Sequence, residues 1–256
     1  MKTKAIRRQD QLWQLLSEAG TMKISDLAAQ LQVSDETIRK DLQVLQERGL
    51  VEKTHGHARI ISEHIWLPVN MKITDHALDK QQIAGRALQF VKDGSVIWLD
   101  PGSTVLALVP LLAAKKDLTI ITNSLSAAQA LSQTKHTLIL TGGRLDSKGQ
   151  SLTGTTAVES LRPFSLDAAF FGSDGFAHTD GPTTFSFDEV LIKHEVLRHA
   201  RQRILLADGS KFGSSGTFCY ADFSELTALI TTRMSPEQRK KVAGVPRIIE
   251  AGTEKN

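Results

Sequence analysis

A chain of 256 residues with 31 basic and 28 acidic side chains carries a formal charge of +3, and 41% of it is apolar. That length suits two domains, one of them small, and that composition describes an ordinary soluble globular protein with enough apolar material for a sizeable core. The single cysteine, Cys219, excludes an internal disulfide framework and fits a reducing cytoplasm. It is expected to be a small buried hydrophobe rather than a nucleophile.

Met1–Arg8 is basic, but Leu12, Leu15, Leu16 and Ala19 follow at helical spacing rather than as one apolar run. That pattern argues against a signal peptide. No segment approaches the roughly 20 apolar residues of a membrane helix, so no membrane partner is expected. The spacing predicts a first helix from about Thr3 to Ala19, closed by Gly20. Ser25 is expected to cap a second helix, with Leu27, Ala28 and Leu31 continuing the stripe begun by Ile24. A brief turn, Gln32-Val33-Ser34, leads into a third helix that ends at Gly49. Ser34 is a good N-cap, and Asp35 and Glu36 lie in the first turn, where the helix dipole favours negative charge.

The third helix has two faces. Ile38, Leu42 and Leu45 fall on one side of the wheel, while Glu36, Lys40, Gln43 and Glu47 fall on the other, flanked by Thr37 and Arg39. Two helices joined by so short a turn form a helix-turn-helix. Leu50–Ile60 reads as two short strands around Gly56, which makes the unit winged. In the major groove, Lys40 can donate to guanine, Gln43 can pair with adenine and Glu36 can accept from cytosine. Ser34 opens this helix beside the groove, while Thr37, Arg39, Lys53, Thr54 and His55 suit phosphates, which position a protein without reading sequence. The alternative is a three-helix interaction module whose charged face is simply solvated.

The spacing of Arg8, Leu12, Leu16, Ser34, Thr37, Ile38, Arg39, Lys40, Asp41 and Leu42 resembles the N-terminal signature of DeoR-type bacterial transcriptional regulators. Lys53-Thr54-His55-Gly56-His57-Ala58 is similar to that family's Arg-Thr-His-Gly-Gly-Ala turn. It departs at Lys53, which keeps the charge but loses bidentate geometry, and at His57, which strains the turn if a positive φ is required there.

Residues 62–74, with Pro68 and no clear period, read as a linker between a DNA-binding domain at 1–61 and an α/β domain at 75–256. Trp66 is expected to pack against one domain. His55, His57 and His64 lack the cysteines or helical His-x-x-x-His spacing of a metal site, and no metal or other cofactor is expected.

From Asp75 a helix carries Ile83, Ala84, Ala87, Leu88 and Val91 on one face. Apolar runs then recur at 95–99, 118–121, 137–140, 168–171, 203–207 and 227–230, with amphipathic stretches at 105–114, 125–132 and 187–200. Continuous apolar strands alternating with helices imply a mostly parallel sheet covered on both faces, with ligands at the carboxyl ends of its strands.

The unusual residues gather at those ends. Asp100-Pro101-Gly102-Ser103-Thr104 opens directly onto a helix, which suits an anion such as phosphate or is an ordinary capped turn. Thr122-Asn123-Ser124, Thr141-Gly142-Gly143-Arg144, Gly154, Gly172-Ser173-Asp174-Gly175 and Asp208-Gly209-Ser210-Lys211 follow at later ends. Together they resemble a polar pocket for a small phosphorylated sugar or polyol. Glu189 and Lys193 are spaced i,i+4, so a surface ion pair competes with the reading that Lys193 reaches into that pocket.

These blocks also look like the sensor domain of DeoR-type regulators, so the resemblance covers nearly the whole chain. It implies a sensor fold shared with sugar-phosphate isomerases and a sugar-phosphate effector that weakens operator binding. Ser103, Gly209 and Thr232 depart from the commoner threonine, serine and aspartate. The reading is therefore a repressor of a carbohydrate operon, bound as a homo-oligomer to double-stranded operator DNA. The alternative is a sugar-phosphate isomerase with a DNA-binding appendage, in which Asp100, Asp174 or Glu189 could serve as general base. Gly-x-Ser-x-Gly, Walker and Gly-x-Gly-x-x-Gly motifs are absent, which removes the commoner enzyme readings.

Overall fold

The computed structural model describes residues 4–47, 51–54, 56–60 and 69–252. The chain divides into two compact units, Met1–Leu67 and Pro68–Asn256.

In the first unit, α1 (Lys4–Ala19), α2 (Ile24–Gln30) and α3 (Asp35–Glu47) pack beside a small sheet of β1 (Thr21–Lys23), β2 (Val51–Thr54) and β3 (His57–Ile60). The sheet order is β1-β3-β2, antiparallel throughout. The sequence predicts the last two strands but not β1, whose three residues are too few to show alternation. Gly20 adopts a φ of +70°, and its N–H closes α1 on the Leu16 carbonyl at 2.8 Å. Ser25 is not the cap of α2: the helix begins one residue earlier, at Ile24, and the Ser25 hydroxyl reaches only the Asp26 carboxylate at 3.4 Å. Leu12, Leu16, Leu27, Ile38, Leu42, Leu45 and Val51 are fully buried and form the core. The expected strain at His57 does not arise, because the positive φ falls on Gly56 and His57 lies in β3 opposite Thr54. His55, Trp66 and His64 lie outside the described residues.

The second unit begins inside the stretch read as a linker. Val69–Lys72 is α4, and the Val69 N–H bonds to the Lys148 carbonyl at 3.1 Å, so this stretch packs on the α/β unit. α5 (Ala77–Ala87) then leads to β4 (Val96–Leu99), α6 (Ser103–Leu106), β5 (Thr119–Thr122), α7 (Leu125–Leu131) and β6 (Thr137–Leu140). A hairpin, β7 (Arg144–Asp146) and β8 (Ser151–Thr153), precedes α8 (Thr155–Glu159) and β9 (Leu166–Phe171). The chain ends with β10 (Thr183–Thr184), α9 (Phe187–His199), β11 (Ala200–Leu206), β12 (Phe218–Cys219), β13 (Ala228–Thr231), α10 (Pro236–Lys241) and β14 (Ile248–Glu250).

Seven strands form one parallel sheet in the order β14-β13-β11-β9-β4-β5-β6. Its two faces bury separate cores, one around Ile97, Leu99, Ile120 and Phe170, the other around Trp98, Ile121, Phe171 and Leu205. Alternate residues of one strand thus serve opposite faces. The expected helix at 105–114 is broken into α6 and a 3-10 turn, Val109–Ala114. Pro110 explains the break, since its ring would clash with the carbonyl four residues earlier, that of Leu106. Cys219 is exposed, on β12, rather than buried as expected.

The strand order reverses direction at one place. From β4 the chain moves outward through β5 and β6, then returns to the other side of β4 as β9 and continues through β11, β13 and β14. Such a switch point leaves a crevice above the carboxyl ends of the two strands, here at Asp100 and Gly172.

Candidate functional site

The DNA-reading candidates sit on a helix held from behind. Ser34 accepts from the Thr37 N–H at 3.3 Å and opens α3. Behind α3, Asp41 is buried, takes the Arg8 guanidinium and accepts from Gln9 at 3.0 Å. This clamp ties α1 to α3 through one carboxylate. On the outer side Glu36, Arg39, Lys40 and Gln43 are exposed and Thr37 is partly so. Lys40 and Glu36 lie 3.7 Å apart, and the Lys53 ammonium donates to the Gln43 amide oxygen. The exposed i,i+4 pair of Glu36 and Lys40 contributes about 0.3–0.5 kcal/mol, so either side chain can leave it at little cost. Lys53 and Thr54 end β2 beside the recognition helix.

At the switch point of the second unit the candidates fall into two groups. In the central one, the Asp100 carboxylate accepts from the Gly172 N–H at 2.9 Å and from the Lys193 ammonium. Lys193 is 3% exposed. It is therefore no surface partner of Glu189: the inward side of α9 turns it beneath the sheet end, and its ammonium also lies 4.9 Å from the Tyr220 ring. The Tyr220 hydroxyl donates to the Gly172 carbonyl at 2.7 Å, which fixes the loop that Asp100 holds from the other side. A β-carbon on Gly102 would stand 3.5 Å from the Gly172 Cα, an ordinary van der Waals contact, so space alone does not demand a glycine there. Thr104 is buried and Ser103 partly exposed, at the start of a helix of four residues whose dipole adds little.

Asp174 accepts from Lys72 at 2.6 Å and from the Phe185 N–H at 3.2 Å. Burial pushes its carboxyl upward, but the charge and hydrogen bond of Lys72, the Lys211 ammonium and the Phe185 N–H together outweigh this and hold it below the usual carboxylate range. Gly175 has a φ of +142°, and a β-carbon there would lie 2.1 Å from the Ser214 carbonyl oxygen, so its glycine serves packing. Lys80, buried on α5, donates to the Asp75 carbonyl at 2.5 Å, and burial lowers its ammonium to about 8. Asp208 caps the turn of Lys211 by accepting from the Ser210 N–H at 3.0 Å. Its second oxygen, Oδ2, is buried with no hydrogen-bond partner. Lys211 is partly exposed, and its charge acts on Asp174, Asp208 and Lys80 together. A cleft of about 240 Å³ opens beside Lys80 and Ser103, walled by Ile73 and Leu106.

The second group lines the neighbouring strand ends. Asn123 donates to the Leu152 carbonyl at 3.0 Å while its own carbonyl oxygen is buried and unpartnered, as are the hydroxyls of Thr141 and Ser151. Ser124 caps α7 on the Ala127 N–H at 3.2 Å. Gly143 is held at φ +128°, where a β-carbon would meet the Thr153 carbonyl oxygen at 2.5 Å, so it serves the β7–β8 hairpin. A β-carbon on Gly142 would stand 3.0 Å from the Thr156 methyl. Gly154 precedes α8 with φ +92° and open space around it. Arg144 is exposed and paired with Asp188 on the first turn of α9. Glu189, the next residue, accepts from the Thr184 hydroxyl at 2.5 Å. Burial, opposed by Lys193 and reinforced by Asp174 and Asp100, pushes its carboxyl up to about 7.

Lys72, Lys80 and Tyr220 are absent from the sequence-based candidates. One of them left a signal: Lys80 shares the helical stripe of Ile83, Ala84 and Ala87, where a lysine is out of place unless something holds its charge.

The DeoR-like helix-turn-helix domain matches residues 8–64, and the DeoR C-terminal sensor domain matches residues 75–233. The chain belongs to the DeoR family. It is 32% identical to the HTH-type transcriptional regulator IolR of Bacillus subtilis over 90% of this chain and 92% of that protein. A lactose phosphotransferase system repressor of Staphylococcus epidermidis is 31% identical over 94% of this chain and 98% of its own. The glycerol-3-phosphate regulon repressor of Escherichia coli is 27% identical over 91% and 93%. Ribose 5-phosphate isomerase from Methanocaldococcus jannaschii aligns with 52% of each chain at 23% identity and a TM-score of 0.38. This DeoR-family chain is a DNA-binding transcriptional regulator with a helix-turn-helix reading unit and an α/β sensor unit.

Proposed function

We propose that this regulator represses a carbohydrate-utilisation operon in the cytoplasm and leaves its operator when a phosphorylated sugar or polyol fills the switch-point crevice. One observation carries the effector class: the crevice pairs unsatisfied acceptors with an ammonium. The buried Asp208 Oδ2 lacks a donor, and a ligand hydroxyl supplies one. The Lys211 ammonium, whose charge acts on Asp208, suits the phosphate. Asp100 and Lys193 neutralise each other within the floor, and Asn123 and Thr141 extend the polar lining by one and two strand steps, each about 5 Å, with Ser151 of the β7–β8 hairpin bridged to Ser124 beside them. The names of the lactose phosphotransferase and glycerol-3-phosphate repressors point to the same substrate class.

On the DNA side, Glu36, Lys40 and Gln43 read base edges, while Ser34, Thr37, Arg39, Lys53, Thr54 and His55 hold phosphates. The effector acts by binding one conformation of the regulator more tightly than the DNA-binding one. A thermal-shift screen tests the pocket. Sugar phosphates should raise the melting temperature, the unphosphorylated sugars should not, and Lys211→Ala with Asp208→Asn should abolish the rise. A rise unchanged in both variants would remove the crevice from the account.

Glu189, titrating near neutrality beside Lys193, favours one second reading, a proton-transfer enzyme. Turnover of a sugar phosphate that Glu189→Gln abolishes would establish it. The regulator account expects binding without turnover.

A further inference from the structure

The strand ends farther from Lys211 hold polar atoms that the fold leaves without partners. Asn123, Thr141 and Ser151 are 1%, 3% and 0% exposed, and Asn123 Oδ1 and both hydroxyls lack a hydrogen-bond partner. They belong to one place. The Leu152 N–H donates to the Asn123 backbone carbonyl at 2.8 Å, Ser151 bridges to Ser124, and the Thr141 N–H donates to the Thr122 carbonyl at 3.0 Å. Glu189 joins them from α9. Its Oε1 and the Ser151 Oγ would stand 3.5 Å and 2.9 Å from a β-carbon on Gly149.

These atoms state what they accept. The Asn123 amide nitrogen donates to the Leu152 carbonyl at 3.0 Å, so the oxygen left over is an acceptor only. A carboxylate or phosphate is also acceptor only, and set against that oxygen it leaves both without a donor. A hydroxyl donates to it and accepts from Ser151 or Thr141 in turn. Charge points the same way. The cations that Arg144 and Lys193 bring to this end are engaged, with Asp188 and Asp100. Burial, with Asp174 and Asp100 beside it and Lys193 opposing, pushes the Glu189 carboxyl up to about 7. A further negative charge meets the same resistance.

We propose, resting on the placement of the phosphate at Lys211 in the proposed function, that this end of the crevice admits hydroxyls and rejects anions. The effector is then a monophosphate whose far end is a polyol or a ring hydroxyl, and sugar acids and bisphosphates are turned away. Asp174, on which the Lys211 charge acts, follows β9, and Asn123 follows β5, two strands on and roughly 10 Å away. An extended pentose or hexose phosphate bridges that span, with its phosphate at one end and its last hydroxyl at the other. Glu189 is partly exposed and is the group that an incoming far end meets first. Asn123, Ser151 and Glu189 are thus specificity-determining residues that act against the wrong ligand as much as for the right one.

Isothermal titration calorimetry of the full chain tests this with matched series in the gluco, manno and galacto configurations. Each series holds the hexose 6-phosphate, its alditol 6-phosphate, its aldonate 6-phosphate and its 1,6-bisphosphate. In every series that binds, the aldonate and the bisphosphate should be roughly 100-fold weaker than the better of the other two. Asn123→Leu should weaken that better ligand by about 10-fold or more and leave the aldonate unchanged, because the aldonate has no bond there to lose. Glu189→Gln removes a charge, keeps the shape and should strengthen the aldonate about 10-fold. An aldonate or bisphosphate that binds wild type as tightly as the hexose or alditol phosphate overturns the proposal and leaves the proposed function standing. An equal loss of all ligands in Asn123→Leu, or an aldonate unmoved by Glu189→Gln, does the same. If Asn123→Leu fails to fold, wild type and Glu189→Gln decide. Failure of every phosphate to bind, or binding unmoved by Lys211→Ala, overturns the proposal and the proposed function together.

Discussion

The two units handle charge in opposite ways. In the helix-turn-helix unit the side chains proposed to read DNA stand in water and their support is covered: Asp41, Arg8 and Gln9 lie behind α3 while Lys40, Glu36 and Gln43 face out. In the sensor unit the charged groups are drawn together at the strand ends, Asp100 with Lys193 and Asp174 with Lys72. Reading DNA needs exposed donors and acceptors that can exchange cheaply. Recognising a small polar ligand needs charges fixed in place before it arrives, so that binding does not have to order them.

The sharpest way to test that contrast is to remove one partner from each kind of pair. Lys193→Ala leaves the buried Asp100 carboxylate uncompensated and should cost about 3–5 kcal/mol of sensor stability in urea unfolding. Asp41→Ala strands the Arg8 guanidinium, which retains some contact with water, so about 2 kcal/mol is expected. It should weaken binding to every DNA sequence alike, because it loosens the support rather than a reader. Lys40→Ala should leave stability within about 0.5 kcal/mol yet cost about 1–3 kcal/mol in operator affinity and relax preference at one base pair. Equal affinity for operator and mutated operator in wild type would break this side of the comparison.

Glu189 provides a smaller, pH-resolved test. Its carboxyl is raised from 4.5 to about 7, so between those values the folded chain holds a proton the unfolded chain has released. Stability therefore falls as pH rises through that window, by about 1–3 kcal/mol, and Glu189→Gln should flatten the slope. Unfolding free energies at pH 5 and pH 8 read it directly, and an equal slope in the variant would contradict the burial assigned to this carboxyl.

The same contrast explains what could be read from the sequence. Ile38, Leu42 and Leu45 were legible because helical spacing fixes one inward face, and all three are fully buried. The central strands were legible because both their faces are covered, which leaves uninterrupted apolar runs. The edge strand β14 and the hairpin β7–β8 were not, since three-residue strands with partial cover leave no pattern. In the sensor, the strand-end loops announced themselves by glycine, hydroxyl and aspartate. Their pairing did not: nothing in the order of residues joins Lys193 to Asp100 across 93 positions, or Lys72 to Asp174 across 102. The i,i+4 spacing of Glu189 and Lys193 suggested a local pair, and the tertiary fold overrode it by burying the lysine.

The central claim is that a phosphorylated sugar or polyol in the switch-point crevice releases the recognition helix from DNA. Fluorescence anisotropy of a labelled operator, titrated with sugar phosphates at fixed salt, tests it most directly. The account predicts release of wild type by at least one sugar phosphate and by none of the unphosphorylated sugars. It also predicts retention of Lys211→Ala and Asp208→Asn on the operator at the same concentration. Operator binding indifferent to every sugar phosphate, or release that survives both substitutions, would contradict it.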